Sequence, residues 1–156
     1  MSRLESYGVD PQAYDLAIIV SAAGGVDAMA SGGATATLVD QATRSKTRLS
    51  SGATFVDVRF MDVMAIAAAL HYHRSKMARA GKTYRAMILT ENLELVREAA
   101  AGAAEGYGWG MLDWFRRNGY DLTWQWQSAA AESKRADAEA AKAARQAVRE
   151  ATEWLV

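Results

Sequence analysis

Leu16–Val20 reads LAIIV, an unbroken apolar run set between Asp15 and the small residues Ser21, Ala22, Ala23, Gly24 and Gly25. An apolar run this short, bounded by turn residues, reads as a strand buried on both faces. Such a strand belongs in the middle of a sheet. Small residues at its end let a ligand approach the backbone, and the ends of central strands are where sites often form. A plain core strand running into a glycine-rich turn would look the same.

The rest of the chain supplies partners for that strand. Residues 1–13 read as a short, mobile lead-in. The first strand covers 14–22. Gly24, Gly25, Gly32 and Gly33 frame a turn, and GATATLVDQ (33–41) reads as a second strand. TRSKTRLS (43–50) alternates Thr/Ser with Arg/Lys, as expected of a solvated edge strand whose charges discourage further pairing. Three strands joined by short turns form an antiparallel meander. Residues 54–80 change period: Phe55, Val56, Val58, Phe60, Met61, Val63, Met64, Ile66 and Leu70 surround most of a helix, which marks it as buried. His71, His73, Arg74, Lys76 and Arg79 make its far end polar and basic, and Gly81 ends it. YRAMILT (84–90) is a strand, and strand–helix–strand implies a parallel crossover onto the same sheet. Helices at 92–101 and 111–118 flank a glycine-rich irregular stretch at 102–110. YDLTWQWQ (120–127) alternates Leu122, Trp124 and Trp126 as a half-buried strand, and an Ala/Glu/Lys/Arg helix closes the chain at 129–155.

At 156 residues without an internal linker, one domain (14–156) following the lead-in is the expected organisation. Cysteine is absent, so neither disulfides nor thiolate metal sites are available. The opening MSRLESYGVDPQ has no apolar signal core, and no apolar run reaches membrane-spanning length. The expectation is a cytoplasmic protein without a membrane partner. Eighteen Lys+Arg balance eighteen Asp+Glu. A protein that grips phosphates at large is usually basic, so any basic surface here must be local. Arg44, Lys46 and Arg48 on the edge strand are one such strip.

Three carboxylates stand out. Asp62 interrupts FMDVM on the most apolar helix, where a charge needs compensation. Arg59, three residues earlier, could supply it, and so could a metal ion. Glu91 directly follows AMILT, where open α/β sheets place ligands; it could equally be an acid favoured by a helix N-terminus. Asp137, in ESKRADAEAAKAA, reads alone as one solvated charge among many. His71 and His73 point to different faces of a helix and read as surface or helix-end residues. Trp109, Trp114, Trp124 and Trp126 read as core rather than as a stacking platform.

Taken together, these segments resemble the ribonuclease H family. IVSAAGG followed by SGGATATLV is similar to its first hairpin, in which a strand ends in T-D-G-S and a Gly-Gly pair follows ten residues after the Asp; Gly32 and Gly33 stand ten and eleven residues after Ala22. RFMDVMAIAAAL resembles the R-M-E-L-x-A-x-x-x-A-L helix, with Asp62 at the Glu position. ILTENLELVREA is similar to I-x-T-D-S and its helix, with Glu91 at the Asp position. LTWQWQ and KRADAEAAKAA resemble the W-x-W strand and the R-x-D-x-L-A-x-x-A helix, with Asp137 at the Asp position. The resemblance covers roughly residues 14–145. It implies an α/β fold with a five-stranded mixed sheet, an antiparallel meander of three strands plus two parallel strands, and helices on both faces.

The resemblance further implies a nuclease acting on RNA in an RNA–DNA hybrid or related nucleic acid. Asp62, Glu91 and Asp137 would be catalytic metal ligands for two Mg²⁺ or Mn²⁺ ions, and Arg44, Lys46, Arg48, Arg59 and Asn92 would contact nucleic acid. The chain also departs from the family. Ala22 stands where the family keeps its central aspartate, either by natural loss or by a deliberate Asp→Ala replacement. That change should leave the chain inactive. DVRF replaces the T-N-N-R run that grips the hybrid, no histidine follows the Trp124–Trp126 strand, and Arg116–Arg117 is the only basic pair where the family has a basic helical handle. A non-catalytic nucleic-acid- or protein-binding module that kept the fold is the alternative expectation.

Overall fold

The structure is a computed structural model that describes residues 3–24, 30–101, 109–128 and 130–154. Gly25 and most of the 102–110 stretch lie outside the described residues. The elements are β1 (Leu16–Ala23), β2 (Gly32–Asp40), β3 (Lys46–Ala53), α1 (Val58–Lys76), β4 (Tyr84–Thr90), α2 (Leu93–Ala100), α3 (Trp109–Arg117), β5 (Tyr120–Trp126) and α4 (Ala130–Trp154). The described strands form one sheet in the order β3-β2-β1-β4-β5. β1–β2 and β2–β3 are antiparallel, and β1–β4 and β4–β5 are parallel. This is the mixed sheet expected from the sequence, with β1 at its centre.

The apolar run of β1 is divided by strand alternation. Leu16, Ile18 and Val20 pack into the larger core with Met61, Ile66 and Leu70 of α1, Leu95 of α2 and Leu112 of α3. Ala17 and Ile19 point the other way, into a smaller cluster with Val39, Met87 and Leu89. Leu4 and Val9 complete that second cluster. The lead-in is therefore docked on the sheet, contrary to the mobile segment expected; two apolar residues in a polar stretch suffice to cover what α4 leaves open.

Two boundaries differ from the sequence expectation for local reasons. Arg44 lies in the turn before β3, with a left-handed φ of 56°. The strip of alternating cations thus shortens to Lys46 and Arg48. α1 begins only at Val58, because the Asp57 side chain accepts a 2.7 Å hydrogen bond from the Phe60 N–H and caps the first turn. At its other end His71 is exposed, as expected, but His73 is fully buried. Its Nδ1 lies 2.7 Å from the Tyr120 hydroxyl, and its Nε2 3.4 Å from Oδ1 of Asp40. Burial works to raise the Asp40 carboxyl, yet bonds from His73 and Thr43 outweigh it and hold it below its ordinary value.

α4 seats against β2 through small residues. Ala136 and Ala140 are fully buried. A Cβ on Gly33 would fall 2.3 Å from the Ala140 N and 2.4 Å from the Ala136 carbonyl oxygen. Those are backbone atoms of a helix, so they cannot swing aside. Gly33→Ala is expected to push α4 off the sheet and to cost about 2 kcal/mol or more. Gly110→Ala, which meets nothing within 4 Å, serves as the near-neutral control in the same denaturant titration.

Candidate active-site edge

The parallel pairing of β1 with β4 sets Val20 opposite Thr90, so the residues that follow each of them share one edge of the sheet. On the β1 side these are Ser21 and Ala22. Strand alternation turns Ser21 toward α4 and Ala22 toward α1, where Ala22 joins the main core cluster. On the β4 side they are Glu91 and Asn92.

Glu91 is held from two elements. Its Oε1 accepts a 2.8 Å hydrogen bond from Ser21 Oγ and another from Ser133 Oγ of α4. The two hydroxyl oxygens are 3.2 Å apart. Its backbone carbonyl accepts a 3.0 Å bond from the Trp126 indole N–H. Asn92 is divided between two tasks. Its Oδ1 caps α2 by accepting from the Leu95 N–H at 3.2 Å, and its Nδ2 donates to Oδ2 of Asp62 at 2.9 Å. Asp62 is 2 % exposed. Burial pushes its carboxyl up to about 6, the Glu91 charge adds to that, and the Asn92 amide only partly offsets it.

The expected site residues thus fall into groups. Asp62 and Glu91 stand at the edge that Ala22 shares, and Asn92, the residue after Glu91, donates to Asp62. Arg59 forms a 2.7 Å ion pair with Glu98 of α2. Asp137 is exposed on α4, one turn beyond the Ser133 that touches Glu91. α4 turns Glu132 toward β2, where its carbonyl accepts from Thr35 Oγ1 at 3.0 Å. Lys46 and Arg48 share a face with Gly52, whose side meets Ala143 of α4, so they lie on the opposite face of the sheet from Ala22. Arg48 pairs with Thr37, three rungs from the Ser51–Ala34–Ala22 row, or roughly 10 Å along the strands. Ser21 and Ser133 were missed from the sequence. Ser21, at the end of an apolar strand, was the available signal; Ser133 had none within its polar helix.

The tryptophans also divide. Trp109 is buried against Trp124 with ring centroids 5.5 Å apart, as a core pair should be. Trp114 and Trp126 are instead half-exposed, Trp126 at 51 %.

No protein-family model matches the sequence, and no curated protein matches it. Solved structures do match in three dimensions. LC11-RNase H1, isolated from compost and solved with an RNA/DNA hybrid, aligns with a TM-score of 0.64 at 11% identity over 85% of this chain and 99% of that one. The fold is ribonuclease H-like. The N-terminal RNase H domain of a Mycobacterium tuberculosis protein aligns at 0.62 with 16% identity over 85% and 99% of the two chains. RNase H1 from Halobacterium salinarum aligns at 0.56 with 16% identity over 84% and 98%.

A ribonuclease H-like fold implies a pair of divalent cations held by carboxylates. The donors at this edge do not fit a pair. Ala22 offers no oxygen from its side chain, an amide donor occupies Asp62, and two hydroxyl donors occupy Glu91. Among the described residues, no three of His, Cys, Asp and Glu gather into a group able to hold a metal ion.

The raised carboxyl of Asp62 has a consequence for stability. The folded chain holds this proton more tightly than the unfolded chain, whose ordinary value is 3.8. Its contribution is therefore fully present below pH 3.8 and is lost as pH rises through about 6. Asp62→Asn keeps an acceptor for Asn92 and removes the ionisation. It is expected to be more stable than the parent at pH 8, by up to about 2–3 kcal/mol, with the gap closing near pH 4. Denaturant titrations at both pH values measure the difference.

Proposed function

We propose that this chain is a nucleic-acid-binding protein of the ribonuclease H type, with RNA–DNA hybrid as its first candidate ligand, and that it does not cut that ligand as written. The observation that carries the proposal is the edge itself: Asp62 and Glu91 are gathered beside Ala22 at the ends of β1 and β4, but two carboxylates stand there in place of a full ligand set. The ribonuclease H-like fold supports the choice of ligand, and one structural neighbour was solved with an RNA/DNA hybrid. Fold alone does not determine function, so the site must be tested by its chemistry. A cytoplasmic setting belongs to the same reading, supported by the cysteine-free composition.

Two histories fit that behaviour. In one, the chain is a nuclease that has lost a single ligand; in the other, it is a binding module that retained the fold. Geometry favours neither by itself, but it makes them separable. A carboxylate at position 22 would project toward α1, the side on which Asp62 lies. Asp62, Glu91 and the new group would then form the acidic cluster that hydrolysis with Mg²⁺ or Mn²⁺ requires, and Asp137 would be a fourth candidate from α4. In the unmodified chain the side chains hold one another: Asn92 neutralises part of the Asp62 field, and Ser21 and Ser133 orient Glu91.

The test compares the chain with Ala22→Asp on RNA–DNA hybrid, duplex RNA and single-stranded RNA, with Mg²⁺, Mn²⁺ or chelator. The unmodified protein is expected to bind without detectable cleavage. The variant is expected to cut hybrid with a metal and to stop with chelator, and its melting temperature should rise with either cation. A folded variant inert on all three substrates with both metals leaves the binding module as the function. Absence of binding by the unmodified chain to any of the three would sink the nucleic-acid reading altogether.

The edge strip carries a second expectation. Lys46→Ala with Arg48→Ala should weaken binding evenly across sequences and flatten its salt dependence, because phosphate contacts are blind to sequence. Equal affinity and salt slope in a fluorescence titration would show that the two cations merely solvate β3.

A further inference from the structure

We infer that the pocket where α1 ends against the starts of β4 and β5 is a binding site for a phosphate group, separate from the Asp62–Glu91 edge. It has a volume of about 270 Å³, and its lining includes Arg74, Ser75, Arg79, Lys82 and Asn118. Fourteen residues of α1 separate Asp62 from Lys76, so the two sites stand roughly 20 Å apart at opposite ends of the sheet.

The charge of this pocket departs from that of the chain. The protein as a whole is neutral, yet among the described residues this pocket is lined by three cations and no carboxylate. Among the described residues, none of the three forms a salt bridge. Arg74 lies over the Trp114 ring at 4.7 Å, and Lys82 over the Tyr84 ring at 5.1 Å. Stacking holds the long side chains in place without neutralising them. Lys82 also influences the partly exposed Asp15, but only as a weak contributor behind Arg85. A concave wall of one sign concentrates the field that attracts a counter-ion.

A helix C-terminus attracts cations, which could account for Arg74 alone. It does not account for Arg79 and Lys82, which lie beyond the helix in the turn leading to β4. The backbone sets their positions. Met77 and Ala78 both donate to the His73 carbonyl, the Arg79 N–H donates to the Tyr84 hydroxyl at 2.8 Å, and the Lys82 N–H donates to the Arg79 carbonyl at 3.3 Å. Gly81 takes the left-handed φ of 78° that the turn requires. Behind the pocket, the buried His73–Tyr120 pair fixes the floor. The helix end contributes roughly half a negative charge, well short of three cations. The volume lies below the roughly 300–1,000 Å³ typical of organic-ligand pockets, so it suits a phosphate rather than a whole nucleotide.

The phosphate could be free, on a monoester, or part of a nucleic-acid backbone. Two probes at low ionic strength distinguish these sources: inorganic phosphate, and a single-stranded DNA oligonucleotide without terminal phosphate. Binding is followed by the backbone amide shifts of Gly81, Lys82 and Asn118 in the folded chain. Arg79→Gln with Lys82→Gln is expected to weaken saturable binding at least tenfold, while Lys142→Gln with Arg145→Gln on α4 leaves it unchanged. Saturation by inorganic phosphate that is lost in the pocket variant identifies a free phosphate or monoester. Saturation by the oligonucleotide alone, lost in the same variant, identifies a backbone phosphodiester. The proposal is overturned by the absence of saturable shifts with either probe, or by equal weakening in the α4 control pair. Thermal melts of both variants confirm that each is folded.

Discussion

The approach of α4 to Gly33 governs the geometry of this protein. Helix backbone rests where a side chain of β2 would otherwise stand. That contact sets both the height and the rotation of α4 over the sheet. Ser133 lies seven residues before Ala140, two turns up the same helix, and so reaches Glu91 at the sheet edge. A helix held farther out by an ordinary side chain would leave Glu91 without one of its two hydroxyl partners. The small residues of β2 and the alanines of α4 are thus conditions of the site as well as of the packing.

Asp62 shows the opposite strategy. It is buried at an energetic cost, and its compensation comes from one amide of a residue that also caps α2. The cap and the acid share Asn92, so the orientation of α2 and the environment of Asp62 are coupled. Glu91, one residue away, contributes repulsion. Such an arrangement holds its proton up to about pH 6, well above an ordinary carboxyl, and gives up stability as pH rises through that value. Sites that hold unfavourable charges for chemistry commonly do this. Here the two acids stand at an edge where Ala22 contributes no polar group from its side chain.

Much of the architecture was legible in local pattern. LAIIV named the central strand because a strand covered on both faces must be apolar at every position. YRAMILT named its parallel neighbour, and the alternation of Leu122, Trp124 and Trp126 named the strand beyond that one. Asp62 and Glu91 were legible as well, since a carboxylate inside FMDVM or at the end of AMILT breaks its surroundings. Other features left no such trace. His73 looked like a helix-end residue because its partners, Asp40 and Tyr120, are 33 and 47 residues away. Ser133 looked like filler in a polar helix. Arg44 belonged to an alternating strip in sequence, but the turn ends before β3 begins and removes it from the strand.

The strands and helices, the three-strand meander and the parallel return of β4 follow from residue period and from the rule that a strand–helix–strand unit returns parallel to its start, whereas the grouping of Asp62 with Glu91 was implied by the resemblance. The sequence by itself determined the former, because each depends on neighbours a few residues apart or on a connection whose handedness is general. Tertiary structure alone decided which polar groups meet. Whether Asp137 or Ser133 faces Glu91 depends on a helix position set by contact with a glycine about a hundred residues earlier in the chain. Whether Arg74, Arg79 and Lys82 surround one pocket depends on how a turn folds back over β4 and β5. Those are distances between backbones, and no local pattern of side chains encodes them.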